Sequence, residues 1–178
     1  MQIRRAIVRR EYHVELESAD LPGGPAPDQV LIETETTFIS AGTELANYTG
    51  VDPTVHTHGA WNAYPKVPGY ANVGRVLASA GEAARFGEGT RVFSFGPHAS
   101  HHNQATTGDR WMVVEVPEGI DSATAAAARM ACVAITALQT GPVQVNDRIA
   151  VFGLGMVGNL AAQFFKLAGG RVIGIDPM

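Results

Sequence analysis

The sequence predicts a mixed α/β fold in which a β-rich region comes first and a parallel α/β unit comes last. Three observations lead to this prediction. Short apolar runs between glycine and proline residues fill the first two thirds of the chain, a helix-forming segment follows Pro117, and a strand, glycine turn, helix and strand occupy residues 148–176. The 178 residues, 46% of them hydrophobic, are enough for one good core or two small ones.

The β-rich region contains four runs with the composition of strands. Each is rich in apolar and β-branched residues and is bounded by turn residues; the runs cover residues 29–40, 74–81, 89–96 and 111–117. Many short strands between glycines and prolines indicate a small barrel or sandwich. Residues 46–66 show no clear period, and we expect a long surface loop there.

A helix is predicted after Pro117. Asp121 or Ser122 offers an N-cap, the alanine-rich interior favours helix, and Gly141 followed by Pro142 ends it. This helix separates the β-rich region from the final unit.

The final unit has the pattern of a dinucleotide-binding site. Residues 148–152 form an apolar run suited to a strand buried on both faces, and Gly153, Gly155 and Gly158 then give the G-x-G-x-x-G spacing. A helix with apolar residues at helical intervals follows, and a second strand ends at Asp176. The alternative is a unit whose glycines serve only packing.

Each part of this unit has a physical role in holding a dinucleotide. Gly153 permits the tight turn, Gly155 lets backbone amides approach the pyrophosphate, and Gly158 lets helix and strand pack closely. The helix N-terminus adds a partial positive charge. Asp176 would accept hydrogen bonds from the adenosine ribose and repel a 2′-phosphate, so NAD(H) is favoured over NADP(H). The predicted cofactor-binding residues are Gly153, Leu154, Gly155, Met156, Val157, Gly158 and Asp176.

Motifs along nearly the whole chain resemble the medium-chain dehydrogenase/reductases, the zinc-type alcohol dehydrogenase-like family. They are "ISAGTELANYTG", "YPKVPGYANVGRV", "GTRVFSFGPHA", "VPEGIDSATAAAA" and the glycine-rich unit, in that order. The resemblance implies a GroES-like β-barrel over residues 1–121. It implies that residues 122–178 are a connecting helix and the first β-α-β of a Rossmann domain, the truncated start of a doubly wound parallel sheet. The implied chemistry is NAD(P)-linked hydride transfer between an alcohol and a carbonyl.

The positions that bind catalytic zinc in this family are not retained. Zinc-using members carry a cysteine before the "GT" of the first motif and "GHE" in the second, whereas this chain has Ala41 and the tripeptide Gly69-Tyr70-Ala71. Alanine cannot bind a metal and a neutral tyrosine is a poor zinc ligand. The single cysteine, Cys132, falls where some members place a third ligand, and one ligand makes no site. Zinc is therefore not expected, and no residue is assigned to a metal.

Histidines could rebuild a metal site elsewhere, and this alternative stays open. Five of them lie in segments that we expect to be loops near the substrate cleft, and two of these with Cys132 would make a plausible zinc ligand set. Polar loop residues or substrate contacts are the favoured interpretation. The five are His56, His58, His98, His101 and His102.

Without zinc, another group has to stabilise the negative charge that develops on a carbonyl oxygen. Tyr70 stands at the position of the family's zinc histidine and is the first candidate, as a phenolic hydrogen-bond donor. Thr43 matches the position that passes the proton in zinc-using relatives and is the second. The alternative for both is packing or turn capping. Glu44 replaces a family acid, and we expect it to be a solvated loop residue.

Composition limits the partners. The formal net charge is −4 and the basic residues are scattered, so nucleic-acid binding is not expected. No run approaches the roughly 18 apolar residues of a membrane span, and we place the protein in the cytoplasm. The expected partner is a small alcohol or carbonyl substrate, and the resemblance implies a homo-oligomer.

Because only the first part of a dinucleotide fold is present, we expect the chain to be part of a longer polypeptide or to pair with another chain.

Three functions follow. The first is a zinc-independent NAD(H)-linked oxidoreductase or the N-terminal part of one. The second is a non-catalytic module that binds a small molecule or a partner chain. The third is a zinc-dependent alcohol dehydrogenase with relocated ligands.

Overall fold

The structure of the chain, a computed structural model, describes residues 1–21, 23–108 and 112–177. It is the mixed α/β chain that the sequence predicts, and it divides into two compact units, an N-terminal unit of residues 1–126 and a C-terminal unit of residues 127–178. In chain order the strands and α-helices are β1 (Gln2–Arg10), β2 (His13–Asp20), β3 (Gln29–Thr37), α1 (Thr43–Tyr48), β4 (Asn72–Ser79), β5 (Arg91–Ser94), β6 (His101–Ala105), β7 (Val113–Glu115), α2 (Ser122–Thr140), β8 (Arg148–Phe152), α3 (Met156–Leu167) and β9 (Arg171–Ile175).

The two sheets of the N-terminal unit are antiparallel. Strands β1 and β2 form a hairpin, and a five-stranded sheet has the order β6-β3-β4-β5-β7. Along β3, Val30 and Ile32 are fully buried while Glu33 is exposed, the period of two that a half-buried strand requires. These two side chains belong to one core cluster with Val76 of β4 and Val92 of β5.

A second core cluster lies where the start of α2 meets the sheet. Ala125 and Ala126 pack with Val73 and Phe93, because small side chains let a helix approach a sheet closely. Asp121 is the N-cap of α2, since its Oδ1 accepts the amide N–H of Thr124 at 2.9 Å. The helix ends at Thr140, directly before Gly141, as predicted.

Two parts of the chain that we expected to be loops are more ordered than predicted. The 46–66 segment contains the end of α1 and a 3-10 helix at Pro53–His56. Its centre is held by the fully buried Asn62, which donates to the Asp52 carboxylate at 2.7 Å. His101 and His102 were expected in a loop, and this is wrong: they begin β6, where His102 pairs with Ile32 of β3.

The C-terminal unit contains a β-α-β segment. Strands β8 and β9 are parallel, with Arg148 opposite Arg171, and α3 connects them. The prediction that β8 is buried on both faces is wrong for the described chain: its side chains alternate between exposed and half-buried, and Phe152 is 77% exposed. The reason is that, among the described residues, β9 is the strand's single neighbour.

Across the described ranges, no helix has the length and apolar character that crossing a bilayer requires.

Candidate functional site

The glycine turn between β8 and α3 is the first candidate site. Gly153 has a φ of +85°, which a side chain would strain, and it makes the turn out of the strand. A β-carbon on Gly158 would lie 1.9 Å from the Gly153 carbonyl oxygen, so the first turn of α3 can approach the strand only because residue 158 has no side chain. A β-carbon on Gly155 would meet no atom within 4 Å.

Asp176 lies against this turn. One of its carboxylate oxygens accepts the amide N–H of Leu154 at 2.5 Å, and the amide N–H of Gly153 donates to the Ile175 carbonyl at 2.8 Å. The structure therefore brings the predicted acid and the predicted turn together. The N–H groups of Gly153 and Leu154 therefore already have acceptors within the protein, and neither is available to a ligand.

The remaining amides of the turn belong to the start of α3. The N–H of Asn159 donates to the Gly155 carbonyl at 2.8 Å and is the first donor within the helix, so the N–H groups of Met156, Val157 and Gly158 lie before the intrahelical hydrogen bonds begin. Such N–H groups, with the partial positive charge of the helix, bind anions such as a pyrophosphate. The open space in front of Gly155 is where an anion could approach them.

The second candidate site is a cleft of about 560 Å³ in the N-terminal unit. The hairpin β1–β2, the segment from Thr37 to Tyr48, and the turns at Pro68 and His98 form its walls. Its exposed lining is almost entirely apolar. The lining residues are Ala6, Val8, Val14, Thr37, Ile39, Ser40, Ala41, Glu44, Leu45, Tyr48, Pro68 and His98.

Glu44 and His98 form a buried pair on the wall of this cleft. Glu44 accepts the imidazole Nε2–H of His98 at 2.6 Å, and the two side chains are only 10% and 12% exposed. The other oxygen of Glu44 accepts the amide N–H of Ser40 at 2.9 Å. The expectation that Glu44 is a solvated loop residue is therefore wrong. The sequence carries no signal for the pair, because 54 residues separate its members.

Thr43 and Tyr70 are close in sequence to residues that line the cleft, but neither is among its described lining residues. Thr43 is the exposed first residue of α1 and directly precedes Glu44. Tyr70 is half-buried in the bend before β4 and follows Gly69, whose φ is +108°. A β-carbon on Gly69 would lie 2.5 Å from the His98 backbone nitrogen, so this bend packs closely against the His98 turn.

The histidines have separate surroundings. His56 pairs with Glu11 at 3.0 Å, His101 lies 3.8 Å from Glu33, and His58 is exposed. Within the described ranges, no three His, Cys, Asp or Glu side chains come together in a group that could hold a metal ion. Cys132 is an exposed free thiol.

His102 differs from these histidines because it is buried and lies beside a hydroxyl group. Its Nε2 lies 3.1 Å from the Ser94 hydroxyl, and burial, with a smaller contribution from the neighbouring His101, lowers the pKa of its imidazole from 6.5 to about 4. The ring is therefore neutral at physiological pH and acts as a core residue of the sheet.

Comparisons with known proteins give relatives along most of the chain, although no protein-family model matches it. The chain is 25% identical over 154 residues to a D-guloside 3-dehydrogenase of Shigella flexneri, covering 77% of this chain and 44% of that protein. A quinone oxidoreductase structure from Pseudomonas syringae pv. Tomato DC3000 is 24% identical with a TM-score of 0.76, over 97% of this chain and 52% of that one. A short chain alcohol dehydrogenase from Escherichia coli CFT073, solved in complex with NADH, is 18% identical with a TM-score of 0.82, over 99% of this chain and 57% of that one.

These relatives and structural neighbours are alcohol dehydrogenases and quinone oxidoreductases of the medium-chain dehydrogenase/reductase type, so the resemblance inferred from the motifs is confirmed. The chain spans about half the length of the curated relatives that it matches. The solved structures establish a shared fold, since their sequence identities to this chain are low.

Proposed function

We propose that this chain is the N-terminal part of an NAD(H)-linked oxidoreductase that transfers hydride between an alcohol and a carbonyl without zinc. The observation that carries the proposal is the Gly153–Gly158 turn, which presents the start of α3 beside the Asp176 carboxylate. The similarity to oxidoreductases, one of them solved with NADH, supports it.

The residues of the turn fit a dinucleotide. The N–H groups of Met156, Val157 and Gly158 would hold the pyrophosphate, and the absence of a side chain at Gly155 leaves room for it. Asp176, already oriented by the Leu154 amide, would accept the ribose hydroxyls and disfavour a 2′-phosphate. When bound, the nicotinamide cofactor supplies or accepts the hydride.

The residues at the zinc positions do not fit a metal. Ala41 and Ala71 have no ligating atom, and the described histidines do not form a group that could hold a metal ion. We propose Tyr70 as the donor to the developing oxyanion and Thr43 as the group that donates to the same oxygen or orients Tyr70. In support, each lies within two residues of a side chain that lines the cleft, Pro68 or Glu44.

The proposed organisation is a GroES-like barrel over residues 1–121 and the first part of a Rossmann domain over residues 122–178. The oxidoreductases that it resembles are about twice as long. Exposed apolar side chains on β8 and β9, such as Phe152 and Ile173, would be covered in a complete parallel sheet or a homo-oligomer. A cytoplasmic location belongs to the same proposal.

Alcohol oxidation by the purified active enzyme tests this function. The enzyme is given NAD⁺ and a series of secondary alcohols, and NADH formation is followed before and after dialysis against a chelator. We expect NADH formation that chelation leaves unchanged. Activity that is lost on chelation and restored by Zn²⁺ would contradict zinc independence, and a lack of hydride transfer in either direction with the whole series would contradict the function.

A further inference from the structure

His98 makes hydrogen bonds to three separate segments of the N-terminal unit. Its backbone N–H donates to the Pro68 carbonyl at 2.9 Å, and its backbone carbonyl accepts the N–H of Ala6 at 2.9 Å. Its imidazole Nε2–H donates to Glu44 at 2.6 Å. The three partners belong to the bend before β4, to β1 and to α1, so one residue ties together segments that are far apart in the sequence.

The bend that carries Tyr70 is fixed against the turn of His98 on both sides. Before Tyr70, a β-carbon on Gly69 would lie 2.5 Å from the His98 backbone nitrogen. After it, the fully buried Asn72 donates through Nδ2 to the Pro97 carbonyl at 3.3 Å. Because both contacts reach backbone atoms of the same turn, that turn sets the position of the Tyr70 backbone.

The side chain of Glu44 attaches the start of α1 to the same turn. Glu44 directly follows Thr43, and its second carboxylate oxygen accepts the Ser40 amide at 2.9 Å. A hydrogen bond to a carboxylate that is shielded from water is stronger than one between neutral groups at the surface. The pair of Glu44 and His98 therefore holds the first turn of α1, and Thr43 with it.

We propose that Glu44 and His98 are a positioning pair, which sets where Thr43 stands relative to Tyr70. Both residues act through the groups that they hold, and the His98 turn is hydrogen-bonded to the segments of both. Donors to a developing oxyanion have to be held in one geometry, so a loosened pair lowers turnover more than cofactor affinity. The inference deepens the proposed function and rests on it.

Glu44→Gln tests the pair in the active enzyme. The amide has the size of the carboxylate but one acceptor oxygen, so it gives up its bond to His98 or to Ser40. We expect kcat to fall about tenfold or more while the Kd for NADH stays nearly unchanged. Glu11→Gln, which alters the exposed pair of Glu11 and His56, is the matched control and should keep the wild-type kcat.

Two substitutions of His98 separate the hydrogen bond from the packing of the side chain. His98→Gln keeps an N–H donor for Glu44, whereas His98→Leu keeps none. We expect the higher kcat for His98→Gln, and equal kcat in the two folded variants would overturn the proposal. Urea unfolding checks that each variant folds, which we expect because the far end of α1 is held separately by the Tyr64 hydroxyl, a donor to the Asn47 carbonyl.

Double variants show whether the pair acts through the proposed donors. Glu44→Gln is combined with Tyr70→Phe and, separately, with Thr43→Val. A positioning pair loses its effect once the group that it positions is absent, so the effect of Glu44→Gln on kcat should shrink in these backgrounds. A merely structural role would lower kcat by the same factor in every background. That result, or an unchanged kcat in Glu44→Gln itself, would overturn the proposal.

Tyrosine ¹³C resonances of the 178-residue chain provide a measurement that needs no turnover. Glu44→Gln should shift the ring resonance of Tyr70, assigned through Tyr70→Phe, and Glu11→Gln should not. An unshifted Tyr70 in an enzyme that transfers hydride would overturn the positioning pair and leave the proposed function standing. A shifted Tyr70 in an enzyme that transfers no hydride would overturn the proposed function and leave the coupling between the two segments standing.

Discussion

The carbonyl oxygen of Gly153 occupies the space that a side chain on Gly158 would need. An ideal β-carbon at residue 158 lies 1.9 Å from that oxygen, well inside any real carbon–oxygen contact. The contact brings the first turn of α3 against the end of β8, and this places the amides of Met156 and Val157 at the mouth of the turn. The geometry of the proposed cofactor site therefore depends on a packing contact.

Gly158→Ala and Gly155→Ala separate the packing role of the turn from its binding role. Gly158→Ala forces α3 away from the strand, and overpacking of this kind lowers the free energy of unfolding by about 1–3 kcal/mol. Gly155→Ala meets no protein atom and should change stability by under about 1 kcal/mol. It should nevertheless weaken NADH binding roughly tenfold, because its methyl group faces the proposed phosphate position. Urea unfolding and NADH titration measure the two effects. Unchanged NADH affinity in Gly155→Ala would contradict the binding role.

The second prediction concerns the choice between NADH and NADPH. Replacement of Asp176 by serine removes the negative charge that would repel a 2′-phosphate, and the ratio of NADH to NADPH affinity should fall by roughly tenfold or more. Glu88→Ser, which removes an exposed carboxylate of the N-terminal unit, is the charge-matched control and should leave the ratio unchanged. An Asp176→Ser chain with the wild-type preference would show that the carboxylate does not face the ribose.

The third prediction concerns the proton donor. In the active enzyme, Tyr70→Phe should lower kcat by about tenfold or more, because general acid–base groups contribute at least this much, while the Kd for NADH stays nearly unchanged. Thr43→Val tests the second candidate in the same way. Full turnover in Tyr70→Phe would remove Tyr70 from the mechanism and leave the oxygen to another donor.

The fourth prediction is a pH dependence of stability that His102 causes. Its pKa is about 4 in the folded chain and 6.5 for a free histidine, so between these values the unfolded chain takes up a proton that the folded chain does not. The free energy of unfolding should therefore fall as the pH is lowered from 6.5 to 4, by up to about 3 kcal/mol. His102→Gln should lack this component, and His58→Gln, at an exposed position, should retain it. Urea unfolding at pH 7 and pH 4.5 measures this change in the free energy of unfolding. An equal change in wild type and in His102→Gln would contradict the assignment.

The parts of the fold that the sequence predicts are those with local signals. Asp121 caps α2 and Gly141 follows its last residue, so the residues that flank the helix predict both of its ends. The turn at Gly153 is likewise predictable, because its positive φ requires a glycine in that place. By contrast, β6 begins with two histidines and has no apolar alternation, so its pairing with β3 becomes visible only in the folded sheet.

The candidate site is less predictable for the same reason. Glu44 and His98 come from segments 54 residues apart, and nothing near either residue indicates the other. The exposure of Phe152 also depends on which strands lie beside β8. The apolar sequence of β8 does not predict those neighbours.

The most direct test of the dinucleotide site is the change of backbone amide chemical shifts when NADH is titrated into the ¹⁵N-labelled chain. We predict saturable shifts at Gly155, Met156, Val157 and Gly158 that share one Kd, with a further change at Leu154 as the ribose engages Asp176. If NADH leaves these amides unperturbed, or shifts only residues outside the turn, the Gly153–Gly158 turn does not bind the cofactor.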